Sequence, residues 1–187
     1  MRSQPGRLRI IGGSHRGRRI EIPAGARPTG DRIRESLFNI IANGDIVEIA
    51  GARVLDGCAG SGALGIEALS RGAAHAVFLD TDRAALRQIE ANLDTLDLAN
   101  RAEVRRMDVT RPTPGTPCEI VLLDPPYDSD IAQTAPAALA ASGWIAEGGL
   151  CVVETRRGVA LNDVPGFDTV DARSYGDTTL HFLVRSG

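Results

Sequence analysis

The sequence of 187 residues lacks the features of membrane and secreted proteins. No apolar run approaches the roughly 18 residues that a membrane-spanning helix needs. No apolar segment follows the basic N-terminus, as it would in a signal peptide. The three cysteines, Cys58, Cys118 and Cys151, show neither metal-ligand spacing nor a disulfide framework. These absences predict a protein of the reducing cytoplasm that has no membrane segment and no metal site.

Lysine is also absent, and the arginines that supply all 21 basic residues are unevenly distributed. Residues 1–34 contain nine arginines and two acids, a net charge of +7. Residues 35–187 contain twelve arginines and 22 acids, a net charge of −10. A basic arm on an acidic body predicts a polyanionic partner that binds to the arm.

The basic arm has the pattern of a β-hairpin. Residues 7–11 and 18–22 are short β-like runs on either side of a glycine-rich turn, and residues 23–30 form a linker rich in Pro and Gly. We predict that residues 1–28 form a small hairpin extension whose arginines neutralise phosphates. The arginines concerned are Arg7, Arg9, Arg16, Arg18 and Arg19.

The remaining residues, 29–187, have the pattern of one α/β domain. A helix is predicted to start near Thr29 or Asp31, either of which could cap it, and to end at Gly44. Its apolar face consists of Ile33, Leu37, Ile40 and Ile41. Strand–helix alternation then predicts a parallel, doubly wound sheet, and the last two strands form an antiparallel hairpin at its edge. The predicted strands are residues 53–56, 75–80, 102–106, 119–124, 148–154, 167–173 and 178–185, and the further helices are residues 63–71, 83–97 and 131–142.

A glycine-rich turn joins the first strand of this domain to its helix. Gly60, Gly62 and Gly65 form a G-x-G-x-x-G pattern, and Asp80 lies about 20 residues further on. The glycines allow a tight turn and a close approach of the backbone to a ligand. An acid at position 80 fits the ribose hydroxyls of NAD and of S-adenosylmethionine equally well. The motif alone therefore leaves both cofactors open.

Two further acids favour S-adenosylmethionine. Asp56 ends the strand before the turn, where it can bind an amino-acid ammonium group but would repel the pyrophosphate of NAD. Asp108 follows a later strand and is placed to accept a hydrogen bond from an adenine amine. Cys58 is interpreted as a small turn residue, because no histidine partner for a catalytic thiol is evident. The predicted cofactor-binding residues are Asp56, Gly57, Gly60, Gly62, Asp80, Asp108 and Val109.

The most informative motif is Asp124-Pro125-Pro126-Tyr127, which follows the buried apolar run of residues 120–123. The motif therefore lies at the carboxyl end of a strand, where open α/β sheets bind their ligands. The prolines stiffen the turn and donate no backbone hydrogen bond. A carboxylate, bare carbonyls and one aromatic ring can accept hydrogen bonds from an amino group while stacking on a planar ring. This chemistry suits methyl transfer to the exocyclic amine of a nucleobase.

With these motifs the chain resembles the RsmD family, the bacterial 16S rRNA guanine-N2 methyltransferases. The similar segments are residues 9–19, 27–39, 55–67 and 124–127, of which the first two are specific to the family. The resemblance implies the Rossmann-like, seven-stranded methyltransferase fold. It also implies methylation of N2 of guanine 966 in 16S rRNA, on an assembling 30S subunit, with S-adenosylmethionine as cofactor. Asp80 stands where many members carry Glu.

The residues suggest how such a reaction would proceed. Asp124 and the carbonyl of Pro125 would accept the two N–H bonds of the guanine amine, while Tyr127 stacks on the base. Arg32 and Arg34, near the start of the first helix, would either line the active cleft or bind RNA, and the sequence does not choose between these roles. The lack of an evident apolar interface segment favours a monomer.

Three other functions stay open at this stage. An adenine-N6 DNA methyltransferase can use the same carboxylate–proline–aromatic motif, although the chain has no room for a large DNA-recognition domain. An NAD-dependent oxidoreductase would rest on the three glycines of the turn. A non-catalytic RNA-binding assembly factor would keep the fold without the reaction.

Overall fold

The computed structural model describes residues 6–23 and 30–187, which form a two-stranded and a seven-stranded sheet with four α-helices in those ranges. The strands are β1 (Gly6–Arg9), β2 (Arg19–Ile22), β3 (Arg53–Gly57), β4 (His75–Asp80), β5 (Ala102–Arg106), β6 (Cys118–Leu123), β7 (Ile145–Arg156), β8 (Phe167–Tyr175) and β9 (Thr178–Arg185). The helices are α1 (Asp31–Asn43), α2 (Ala63–Ser70), α3 (Arg83–Thr95) and α4 (Ile131–Ala141). None of these helices is long and apolar enough to cross a membrane.

The large sheet has the strand order β5-β4-β3-β6-β7-β9-β8. Strands β3 to β7 are parallel, and β9 lies antiparallel between β7 and β8. The central strands are continuous apolar runs because helices cover both of their faces. The predicted Rossmann-like fold with an antiparallel hairpin at its C-terminal edge is confirmed.

The helices are divided between the two faces of this sheet. Helices α1, α2 and α3 pack on the face that carries Val54, Phe78 and Leu122. Helix α4 packs on the opposite face, against Val121 and Val153. Three layers of this kind leave the ends of the strands open, and a ligand site can form there.

The first two strands form the predicted hairpin, hereafter the N-terminal hairpin (residues 6–22). One face of it is apolar and shares a core with α2, α3 and Phe78. Glu67 of α2, which is fully buried, accepts hydrogen bonds from the backbone N–H groups of Ile11 (2.9 Å) and Gly12 (2.8 Å). Asn92 of α3 exchanges two hydrogen bonds with the backbone of Glu21. The hairpin is thus packed on the larger domain by buried side chains, and the division at residue 28 stays a prediction.

The start of α1 differs from its prediction. The cap position is Gly30, which has no side chain to accept a hydrogen bond, and Asp31 lies inside the helix. Thr29 falls outside the described residues. The buried face of α1 consists of Arg34, Leu37, Phe38 and Ile41, whereas Ile33 and Ile40 are only partly buried.

Strand β7 is longer than the predicted residues 148–154. The predicted start of the strand is Gly148, whereas the strand begins three residues earlier, at Ile145. The pairing with β6 shifts register there, from Cys118 opposite Ile145 to residue 120 opposite residue 150. This irregularity accommodates the additional residues of β7, and Gly148 adopts the positive φ of 70° that it requires.

Candidate active site

A cavity of about 670 Å³ opens at the carboxyl ends of the parallel strands. Asp56, Asp80, Asp108 and Asp124 all line it, at the ends of β3, β4, β5 and β6 or directly after them. The structure therefore brings the predicted cofactor acids and the predicted catalytic acid into one cavity.

The glycine turn shapes one wall of this cavity. Gly60 (φ 53°) and Gly62 (φ 75°) adopt left-handed conformations, which favour glycine. Gly60 lines the cavity, whereas Gly57 and Gly62 serve the packing behind it. A Cβ atom at Gly57 would lie only 2.5 Å from the side chain of Leu123. Of the predicted glycines, Gly60 thus faces the cavity, whereas Gly57 and Gly62 serve to build the turn.

Asp56 is the most deeply buried acid of the cavity, with 1% of its surface exposed. Its Oδ2 accepts a hydrogen bond of 2.8 Å from the backbone N–H of Gly65. Burial raises the pKa of Asp56 well above its ordinary value, and the nearby carboxylates of Asp124 and Asp80 raise it further. A cationic group bound in the cavity would offset the cost of ionising this carboxyl group.

Asp80 and Asp108 are held by local hydrogen bonds. Asp80 accepts from the backbone N–H of Gly60 (2.8 Å) and of Asp82 (2.9 Å), and it thereby links the glycine turn to the end of β4. Asp108 accepts from the hydroxyl and the N–H of Thr110, and these bonds lower its pKa. Asp108 is exposed and Val109 beside it is buried, so a polar edge and an apolar surface adjoin at this end of the cavity.

Cys58 lies between the acids of the cavity and adopts a left-handed conformation (φ 61°). Burial raises the pKa of its thiol to about 12, with further contributions from Asp80, Asp56 and Asp124. Because the thiolate is the nucleophilic form, this environment disfavours covalent catalysis by Cys58.

The motif of residues 124–127 forms the opposite wall of the cavity, and all four residues line it. Asp124 is partly buried, Pro125 is buried and Pro126 is exposed. The ring of Tyr127 is partly buried, and burial together with the neighbouring Glu154 raises the pKa of the phenol to about 12. Tyr127 is therefore neutral over the physiological range of pH.

Three residues of this wall were not predicted, namely Glu154 and Arg156 of β7 and Thr178 of β9. The phenol of Tyr127 donates a hydrogen bond of 2.7 Å to Oε1 of Glu154, and its oxygen lies 2.7 Å from the hydroxyl of Thr178. The guanidinium carbon of Arg156 lies 5.7 Å from the centre of the Tyr127 ring. The polar residues that follow Val152 and Val153 are a signal in the sequence that could have indicated this wall.

The predicted RNA-binding arginines fall into different environments. Arg9 and Arg19 are exposed and lie directly opposite each other on β1 and β2. Arg7 pairs with Glu21 at 3.7 Å, and Arg18 donates to the backbone carbonyl of Thr95 at the end of α3. Further exposed arginines are Arg16 and Arg32.

Arg34 requires a correction, because only 1% of its surface is exposed. Its guanidinium donates to the carbonyl of Arg9 (2.9 Å) and pairs with Asp31 (2.7 Å). Arg34 thus joins α1 to the N-terminal hairpin, and it offers no surface to a phosphate. Neither of the roles predicted for it, in the cleft or in RNA binding, fits this position.

Comparison with known proteins assigns the chain to a family. Residues 8–184 match the family model described as conserved hypothetical protein 95. The chain is 42% identical over 166 residues to the ribosomal RNA small subunit methyltransferase D of Escherichia coli K12, and the match covers 87% of this chain and 82% of that protein.

Solved structures agree with this assignment. The Escherichia coli protein yhhF, described as a methyltransferase, superposes with a TM-score of 0.86 at 39% identity and covers 97% of this chain and 99% of its own. An RNA methyltransferase from Salinibacter ruber, solved with S-adenosyl-L-homocysteine, has a TM-score of 0.65 at 15% identity. It covers 86% of this chain and 94% of its own, and at this identity it supports the fold alone.

Proposed function

This chain belongs to the RsmD family, and we propose that it methylates the rRNA of the small ribosomal subunit with S-adenosylmethionine as the methyl donor. The proposed target is N2 of guanine 966 in 16S rRNA. The observation that carries this proposal is the shared cavity. Asp56 and Asp80, the acids predicted to bind the cofactor, line the same space as the motif of residues 124–127. A methyl donor on one wall and an amine on the other could therefore meet in it.

The residues of the cavity fit S-adenosylmethionine. Its ammonium group would satisfy the buried Asp56, whose raised pKa reflects the lack of solvent around its charge. Asp80 would accept from the ribose hydroxyls, and Asp108 with Val109 would bind the adenine. The cofactor supplies an activated methyl group on a sulfonium. NAD fits less well, because its pyrophosphate would lie near Asp56.

The opposite wall would bind the target guanine. Its exocyclic amine is a poor nucleophile, since the lone pair is delocalised into the ring. Asp124 and the carbonyl of Pro125 would accept its two N–H bonds and stabilise the positive charge that develops on nitrogen. Tyr127 would stack on the base after the guanine leaves its own stack, which costs a few kcal/mol. Much of the rate would come from the positioning of the two reactants.

The N-terminal hairpin supports a nucleic-acid substrate. Like charges placed directly opposite each other on paired strands destabilise a hairpin, as Arg9 and Arg19 do here. Phosphates between the two arginines would remove this repulsion. Arg7, Arg16, Arg18 and Arg32 would add to the positive surface, so RNA binding would weaken as salt concentration rises.

The test is transfer of a tritiated methyl group from S-adenosylmethionine to three substrates. These are 30S subunits from cells that lack the protein, 16S rRNA without ribosomal proteins, and duplex DNA. We expect one N2-methylguanosine per subunit, at position 966. Methylated adenine in duplex DNA would instead indicate a DNA methyltransferase. Cofactor binding without any product would indicate a non-catalytic assembly factor, and the proposed function would then be rejected.

A further inference from the structure

Glu154 is a buried acid of the active-site cavity for which the proposed chemistry has no use. It lies near the end of β7 with 6% of its surface exposed. Its Oε1 accepts the phenol proton of Tyr127 at 2.7 Å. The hydroxyl of Thr178 lies 2.7 Å from the phenol oxygen and 3.5 Å from the same Oε1 of Glu154, so the three side chains form one hydrogen-bonded group. Tyr127 is thus bonded at the far end of its ring to two neighbouring strands.

We propose that Glu154, assisted by Thr178, is a positioning residue that fixes the plane of the Tyr127 ring for stacking on the target base. The inference rests on the proposed function, in which Tyr127 stacks on guanine. Glu154 acts through Tyr127 and not on the substrate.

The location of Tyr127 explains why its ring needs such a support. The residue lies in the turn after β6, beyond two prolines, where no strand pairing holds the backbone. The supporting residues come from β7 and β9, which pair with each other from residue 150 to residue 156 of β7. The ring is therefore held at one end by a turn and at the other by the sheet.

The environment of the phenol keeps this support in place. A carboxylate accepts a hydrogen bond strongly only while the phenol retains its proton, and the pKa of Tyr127 is about 12. The hydrogen bond therefore persists across the pH range of the reaction. One face of the ring is covered by the guanidinium of Arg156. The ion pair of Arg156 with Asp128 (3.6 Å) is exposed to solvent and therefore weak, so a base can displace the guanidinium from the ring at little cost.

The test is a double-mutant cycle on single-turnover methyl transfer at saturating S-adenosylmethionine. Glu154→Ala and Tyr127→Phe each remove the hydrogen bond, and each should slow transfer about 10- to 100-fold, the cost of a small misplacement of a reactant. Because Tyr127→Phe removes the contacts with both Glu154 and Thr178, the variant with both changes should be no slower than Tyr127→Phe alone. Multiplying losses would overturn the proposal, because Glu154 would then act on the substrate itself.

Two conservative variants sharpen this test. Glu154→Gln keeps an oxygen that accepts from the phenol, so it should retain most of the activity; a loss as large as that of Glu154→Ala would reject positioning through Tyr127. Glu147→Ala removes an exposed acid from the same strand and should leave transfer unchanged. The affinity for S-adenosylmethionine should be the same in all variants, and an equal affinity would show that the cavity is intact.

A spectroscopic measurement separates this inference from the proposed function. The ultraviolet resonance Raman doublet of tyrosine reports whether a phenol donates a hydrogen bond, and the chain has only one other tyrosine, Tyr175. Glu154→Ala should shift the Tyr127 contribution, identified by its absence in Tyr127→Phe. No shift would reject the positioning role whether or not RNA is methylated. A shift in a protein that methylates no RNA would reject the proposed function alone.

Discussion

Asp56 and Asp124 are two carboxylates of one cavity that differ in their surroundings. Asp56 is buried beneath the glycine turn and bonded to the backbone of α2, whereas Asp124 is partly exposed on the opposite wall. The first is suited to a cation that stays bound through the reaction. The second is suited to an amine that arrives with the substrate and leaves as product.

Replacement of Asp124 separates binding from reaction. Asp124→Ala removes one of the two acceptors proposed for the target amine, and we expect the rate of methyl transfer to fall about 100- to 1000-fold, as when one group that stabilises developing charge is lost. Asp124→Asn keeps a carbonyl oxygen and should lie between alanine and the natural residue. Single-turnover rates and calorimetric titration with S-adenosylmethionine measure the two properties. Full activity of the alanine variant would remove Asp124 from the mechanism.

Replacement of Asp56 should stabilise the fold at neutral pH and weaken the binding of S-adenosylmethionine. A carboxyl group whose pKa is raised on folding stabilises the fold below its ordinary pKa of 3.8, and this contribution is lost as the pH rises. Asp56→Asn, which never ionises, should therefore raise the melting temperature at pH 7 to 8 by a few degrees, since 1 kcal/mol corresponds to about 2–4 °C at this size. The difference in melting temperature between this variant and the natural protein should disappear near pH 3, where Asp56 is protonated in the folded state.

The same variant should bind S-adenosylmethionine about 10- to 100-fold more weakly, because a hydrogen bond to a charged group is lost. Calorimetry at pH 7.5 measures this affinity, with Asp82→Asn at the cap of α3 as a control outside the cavity. Unchanged affinity would show that the ammonium group binds elsewhere.

At the scale of single residues, the sequence predicts the features that depend on a local motif. It does not predict the contacts that depend on residues far apart along the chain. The glycine turn and the motif of residues 124–127 are local patterns next to strands. The partners of Tyr127 lie 27 and 51 residues away along the chain, and only the pairing of β7 with β9 brings them together. Arg34 was predicted to line the cleft or to bind RNA, whereas its guanidinium is buried against the carbonyl of Arg9.

Among the elements, the N-terminal hairpin has one apolar face and one charged face. Its inner face is part of the core with α2 and α3, and its outer face carries Arg7, Arg9, Arg19 and Glu21. The two faces follow from the alternation of side chains along a strand, so the hairpin was predictable. Its hydrogen bonds to Glu67 and Asn92 were not, because neither helix position differs in pattern from an exposed one.

Neutral substitution of the outer face tests its role without disturbing the core. Arg9→Ala with Arg19→Ala should weaken RNA binding and reduce the slope of log affinity against log salt by about 1.4, since each phosphate contact to a single strand contributes about 0.7. The melting temperature should not fall, because a repulsion is removed. Filter binding at several salt concentrations measures the slope. Arg173→Ala on β8, at the far edge of the sheet, is the matched control and should leave it unchanged.

On the scale of the whole molecule, the sheet order determines where the site lies. The strand sequence β5-β4-β3-β6 brings four aspartates, spread over 69 residues of the chain, to one edge. Strand–helix alternation predicted this arrangement, because the carboxyl ends of parallel strands meet at the same edge. The length of β7 was not predicted, since its irregular pairing with β6 depends on both strands.

Ligand-dependent stability tests the cofactor assignment on the intact chain. A ligand at about 100 times its dissociation constant stabilises the folded state by about 2.7 kcal/mol, which corresponds to about 5–10 °C at this size. We expect this rise with S-adenosylmethionine or S-adenosylhomocysteine and none with NAD at the same concentration. Differential scanning fluorimetry measures both. A rise with NAD alone would reverse the assignment.

The attachment of the N-terminal hairpin fixes the distance between its arginines and the cavity. Asn92 bonds the hairpin at Glu21 and also donates to the carbonyl of Ser61 (3.4 Å), within the glycine turn that shapes one wall of the cavity. A phosphate held by Arg9 or Arg19 would consequently lie at one set distance from the methyl donor. An RNA would then be selected by whether its folded shape spans that distance, and the same nucleotides in an unfolded strand would not suffice.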